Sequence, residues 1–185
     1  MTRLVLTLLI ITAASLSAQS PFGQTIARPN QNKIAILDNC DPNDPAWDPT
    51  GGCTLKPKDG DVTFAEFFDL LFSPLSLSVV GHPSWRNEPS YVSVRAGTTV
   101  RVANEGGRPH TFTKVANFGA GNVPVAALNL GLDPAPECAL VALPVVLAPG
   151  QKQELNLDPG LHKFQCCIHP WMRAAIRVTP KDQKK

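Results

Sequence analysis

The sequence predicts an all-β protein, a Greek-key antiparallel β-sandwich preceded by an N-terminal extension with one short helix. Three observations carry that expectation. From Tyr91 onward apolar and polar residues alternate, Gly/Pro pairs punctuate the alternating runs, and 18 Pro with 13 Gly in 185 residues leave little room for long helices. Hydrophobic residues make up 43% of the chain and mean hydropathy is −0.03, enough apolar material to bury a core. With 17 basic against 15 acidic residues the formal charge is +2, so no extended field gathers nucleic acid or an anionic membrane. Only residues 181–185 are locally basic, which a solvated chain end explains.

The first 18 residues read as an export signal. Arg3 precedes an apolar run from Leu4 to Leu16, and small residues follow at Ser17 and Ala18. The run is shorter than the ~20 helical residues needed to span a bilayer. The mature chain is therefore expected outside the cytoplasm, periplasmic or secreted, without a membrane span, where disulfides are allowed.

Residues 19–75 form the extension. Cys40 and Cys53 bracket a stretch of Asp-Pro steps and a Gly pair that cannot continue a helix and fits turns, and a disulfide closing that loop is the economical reading. Its acidic residues lack the spacing and central Gly of an EF-hand calcium loop. Thr63 and Glu66 have capping-box spacing, and Phe64, Phe67, Phe68 and Leu71 fall on one helical face before Pro74 ends the run. That apolar stripe is expected to pack on the main domain, assigned to residues 76–180.

In that domain Val92 and Val94, then Val100 and Val102, alternate with polar residues around the turn Ala96-Gly97, implying a strand pair. Further strands follow at 110–115, 145–147, around Leu155 and Leu157, at 161–166 and at 173–178, separated by Ala148-Pro149-Gly150 and Asp158-Pro159-Gly160. Strands at this spacing read as a sandwich.

The residues with chemistry lie in Phe164-Gln165-Cys166-Cys167-Ile168-His169-Pro170-Trp171-Met172, with His110 upstream at the start of a strand. One thiolate, two imidazoles and a thioether make a trigonal copper site with a long axial sulfur. Soft sulfur favours Cu(I) and imidazole accommodates Cu(II), so such a site exchanges one electron with little rearrangement. His82 has no Cys or Met neighbour at ligand spacing and reads as a loop residue, and His162, in register with Phe164 and Cys166, reads as structural.

Residues 89–178 resemble the cupredoxins, the small blue copper proteins that include plastocyanin and amicyanin. The segment Asn104-Glu105-Gly106-Gly107-Arg108-Pro109-His110-Thr111 is similar to the one that carries the first His ligand. Cys166-x-x-His169-x-x-Met172 is similar to the ligand loop at its short, amicyanin-like spacing, and Gly160-x-His162-x-Phe164-x-Cys166 to the strand leading into it. The resemblance implies one copper ion held by His110, Cys166, His169 and Met172, and an exported, monomeric one-electron carrier between redox partner proteins, not an enzyme. Three features depart from the family: Thr111 stands where Asn is frequent, residues 117–140 look inserted, and Cys166 is followed by Cys167.

Of five cysteines, one ligand leaves four, which pair in three ways. Cys40–Cys53 and Cys138–Cys167 are favoured, because if Cys166 points into the site strand alternation turns Cys167 to the other side, within reach of the insertion. A Cys166–Cys167 bridge, which would abolish the site, needs strained geometry. Pro170 and Trp171 either surround an exposed edge of His169 or serve packing alone. Two other functions remain: copper storage or delivery, which open Met/His-rich ligation would favour, although only Met1 and Met172 occur, and an interaction module working through the helix and the Asp-Pro loop.

Overall fold

The computed structural model describes residues 32–72, 84–122, 131–139 and 145–181. The export signal, His82, residues 123–130 of the insertion and the last four residues lie outside that set. Two four-stranded sheets face each other. The first has the order β2 (Arg86–Glu88), β1 (Lys33–Leu37), β4 (Val100–Asn104), β8 (Lys152–Leu155); the second has β3 (Tyr91–Arg95), β10 (Arg173–Thr179), β9 (Gly160–Gln165), β6 (Thr113–Val115). A short pair, β5 (His110–Thr111) with β7 (Val146–Leu147), stands beside them. The chain crosses between sheets repeatedly, as a Greek-key sandwich requires.

The period-two pattern sets which side chains enter the core. Ile34 and Ile36 of β1, Val92 and Val94 of β3, Val100 and Val102 of β4, and Ile176 and Val178 of β10 are all buried in one cluster. The polar residues between them face out, as in the alternating burial of Tyr91–Arg95.

Three details differ from the sequence expectation. Val92–Val94 and Val100–Val102 do not pair with each other: β3 joins β10 and β4 joins β1 and β8, so the turn at Ala96-Gly97 is an arch between sheets. Both strands bury their valines because they face each other across the core. Secondly, β1 pairs with β4 in parallel and β3 pairs with β10 in parallel, alongside the antiparallel ladders. Thirdly, residues 33–37, placed in the extension by sequence, form an inner strand of the first sheet, so the sandwich begins well before residue 76.

The run 110–115 divides at Phe112. His110 and Thr111 pair with β7, whereas Thr113 to Val115 pair with β9, so this short segment ties the small pair to the second sheet.

The helix α1 (Phe64–Phe72) forms where expected. The Thr63 hydroxyl accepts the Glu66 N–H at 3.1 Å, and Asp44 accepts the Phe64 N–H at 2.7 Å while its other oxygen caps a 3₁₀ turn at Pro45–Thr50. Phe67 and Leu71 are buried, and Phe64 and Phe67 pack on Trp47 at ring separations of 5.0 and 5.4 Å.

Ile36 has no exposed surface. Ile36→Ala should therefore cost about 2–5 kcal/mol in urea unfolding, the loss of a buried aliphatic side chain. A cost below about 1 kcal/mol would mean that β1 is a loose appendage.

Candidate metal centre

Two loops meet at the site, and each is fixed before it arrives. His110 opens β5 after a turn pinned by Asn104, whose amide donates to the carbonyls of Arg108 (2.7 Å) and Leu147 (2.8 Å) and whose oxygen accepts the Gly106 N–H (3.0 Å). The second loop joins β9 to β10, whose ladder ends at the pair Gln165 and Arg173. It is closed by Cys166 N–H to the Met172 carbonyl (3.0 Å) and Met172 N–H to the His169 carbonyl (2.9 Å).

Cys166, His110 and His169 converge. The Cys166 Sγ lies 3.9 Å from His110 Nδ1 and 3.8 Å from His169 Nδ1, and the three ligand atoms all lie within 4.8 Å of one another. With metal–nitrogen bonds near 2.0 Å and metal–sulfur bonds near 2.3 Å, one ion fits among them. The donor set, one thiolate and two imidazoles, suits copper. Cys166 and His110 have no exposed surface, and Met172, at the end of the same loop, is 1% exposed. Cys166 is the one free cysteine among the described residues.

The Cys166 sulfur also accepts backbone N–H groups from Thr111 (3.4 Å) and His169 (3.5 Å). Thr111 holds the two loops together: its hydroxyl accepts the Cys167 N–H at 2.7 Å.

Electrostatics divides the three groups. Burial alone would lower the His110 pKa, but hydrogen bonds to Asp38 and Cys166, with their charges, outweigh it and raise the value to about 9. Burial would push the Cys166 thiol up, yet the hydrogen bonds to His110 and His169 and their charges bring it well below the usual value. For His169 burial prevails over the pull of Cys166, and the pKa falls. Metal-free protein near neutral pH therefore shares one proton between Cys166 and His110.

The insertion supports the ligand loop. Cys138 is bonded to Cys167 and Cys40 to Cys53, the pairing read from the sequence, and no Cys166–Cys167 bridge forms. Buried Gln165 accepts the Gly119 N–H and donates to the Gly119 and Ala120 carbonyls, and Asn122 N–H donates to the Cys167 carbonyl at 2.8 Å. Gly121 is needed here, since a Cβ would come 2.1 Å from that carbonyl oxygen. His162 stands apart from the cluster, on the Asp158 carbonyl at 2.7 Å.

The expected exposed edge of His169 is not there. The residue is only 9% exposed, with Trp171 at 5.4 Å and Phe67 of α1 at 6.2 Å between ring centroids. The helix supplies this cover because Phe67 also packs on Trp85 at 4.7 Å, so α1 is anchored beside the ligand loop. Sequence reasoning missed Asp38 altogether. It lies directly after β1 with its side chain fully buried, and its Oδ2 is 2.7 Å from His110 Nε2.

No family model and no curated protein matches the chain. Among solved structures it is similar to a purple cupredoxin from Nitrosopumilus maritimus, with 21% identity over 53% of this chain and 86% of that one and a TM-score of 0.37. The Cu(I) form of an amicyanin variant is similar at 22% identity over 49% of this chain and 70% of that chain, TM-score 0.33. An oxidised amicyanin variant gives 21% identity, 50% and 72% coverage and a TM-score of 0.35.

An ion bound by both Cys166 Sγ and His110 Nδ1 must displace the shared proton. Cu(I) affinity should therefore rise about tenfold per pH unit and level off above about pH 9, where His110 has already lost its proton. Calorimetric titration in buffers of different ionisation enthalpy should count one proton released per ion near neutral pH. A flat affinity profile below pH 9 contradicts the shared-proton geometry.

Proposed function

We propose that this protein is an exported type 1 copper protein of cupredoxin kind that carries single electrons between larger redox partner proteins. The observation that carries this reading is the convergence of Cys166, His110 and His169 in a buried pocket, with Met172 closing the ligand loop. Copper bound there supplies a one-electron couple. Cys166, His110, His169 and Met172 would hold the ion, offering one thiolate, two imidazoles and a thioether, and Met172 would tune the potential.

The chain's own residues do the remaining work. Thr111 and the two disulfides hold the loops, which limits rearrangement when the metal changes charge. Phe67 and Trp171 pack beside His169, with Trp85 behind Phe67, so partners approach across a ring layer. Four ligands without an open position argue against substrate chemistry. Burial of all the ligands, with no Met-rich tract, argues for transfer over copper storage or delivery.

Export to the periplasm or beyond is supported by the Arg3 and Leu4–Leu16 pattern and by the two disulfides. Among the described residues no helix is long and apolar enough to cross a membrane. A monomer is the proposed working state.

The visible spectrum of oxidised, copper-loaded protein should show an intense thiolate-to-copper band. Cys166→Ser should abolish it, and Cys167→Ser should keep it despite losing a disulfide. Met172→Gln should retain copper and lower the reduction potential, because an amide oxygen favours Cu(II) more than a thioether does. A colourless protein with full copper occupancy would favour delivery, and a band lost in Cys167→Ser but kept in Cys166→Ser would move the ligand to the other cysteine.

A further inference from the structure

The buried carboxylate of Asp38 hydrogen-bonds one candidate ligand, His110, and not the other. Its Oδ2 is 2.7 Å from His110 Nε2. The same carboxylate accepts the N–H groups of Gly107 (2.9 Å, at Oδ1) and Arg108 (3.1 Å, at Oδ2), both in the loop that delivers His110. Its side chain has no exposed surface. Burying a carboxylate is costly unless donors satisfy it, and here three do.

The chain is shaped around this contact. A Cβ on Gly106 would lie 2.1 Å from Asp38 Oδ2, and one on Gly107 would lie 2.8 and 2.9 Å from the sulfurs of Cys40 and Cys53. The disulfide two residues beyond Asp38 therefore packs on the same loop, and Thr54 N–H donates to the Gly107 carbonyl at 3.0 Å. Arg108 turns its guanidinium away, onto the carbonyls of Gly52 and Thr50 and over Trp47.

We propose that Asp38 is a positioning residue which acts on the metal through His110, fixing the Nε2–H tautomer so that Nδ1 presents its lone pair to the ion, and setting the copper potential by its charge. The inference rests on the copper reading above. An imidazole that donates to a carboxylate is a stronger base, and a nearby negative charge stabilises the more highly charged oxidation state. His169, flanked by Phe67 and Trp171, is packed by rings where His110 is held by an ion. The two imidazoles thus have unequal jobs, and the extension that carries Asp38 sets one of them.

The test compares full-length wild-type protein with Asp38→Asn, which keeps the shape and removes the charge. Cu(II) affinity should fall about tenfold more than Cu(I) affinity, equivalent to a rise in potential of about 59 mV for a one-electron couple, at an unchanged ultraviolet circular dichroism spectrum. A wild-type protein with the thiolate band and an Asp38→Asn variant with the same Cu(II)/Cu(I) affinity ratio would overturn the inference and leave the copper reading standing. A wild-type protein without the band overturns both. Should the variant not fold, proton NMR of wild-type Cu(I) protein decides: a slowly exchanging, far-downfield His110 Nε2–H supports the assignment, and an Nδ1–H tautomer refutes it.

Discussion

A sulfur atom that is to carry negative charge with no exposed surface must be given hydrogen-bond donors by the protein, and Cys166 is in that position. Its donors come from both loops: the Thr111 and His169 backbone N–H groups, with the two imidazoles beside them. Both loops must consequently be held in place. The Thr111 hydroxyl on Cys167 N–H, the Asn104 amide on two carbonyls, and the closure of Cys166 on Met172 all serve that requirement. The Cys138–Cys167 disulfide and the Gln165 amide extend the bracing into the insertion, which is a brace on the ligand strand as much as a surface loop.

The N-terminal region has the same relation to the other side of the site. It contributes an inner strand, then Asp38 under His110, then a disulfide packed on the Gly106-Gly107 backbone, then a helix whose Phe67 covers His169. Asp44 ties the last two together by capping the 3₁₀ turn with one oxygen and binding the first N–H of α1 with the other. Removing residues 32–72 would strip an inner strand and the support of one imidazole at once.

Local pattern made much of this legible. The spacing of His110, Cys166 and His169 inside alternating strands pointed to residues that the fold brings together, and strand alternation at Cys166 and Cys167 was enough to separate the free cysteine from the bridge former. Capping-box spacing and the Phe stripe located α1. What stayed hidden depends on distance along the chain. Asp38 and His110 are 72 residues apart, and one Asp in a stretch rich in Asp and Asn carries no mark of its partner. Ile34 and Ile36 alternate, but a five-residue strand next to turn formers gave too little period to register. The Ala96-Gly97 turn looks the same in a hairpin and in an arch, because Gly at φ +86 reverses the chain in either and only the partner strands differ. The stripe on α1 said that it packs on something, and the ring it meets on His169 lies about a hundred residues on, beyond any helical or strand period.

Arg108 adds a further consequence. Its guanidinium is drawn below its ordinary pKa by burial while the charge of Asp38 opposes that pull, and the group itself rests on the carbonyls of Gly52 and Thr50. Asp38, through the Gly107 and Arg108 backbone N–H groups, and the Arg108 guanidinium, through the Thr50 and Gly52 carbonyls, thus tie the His110 loop to the chain both before and after Cys40.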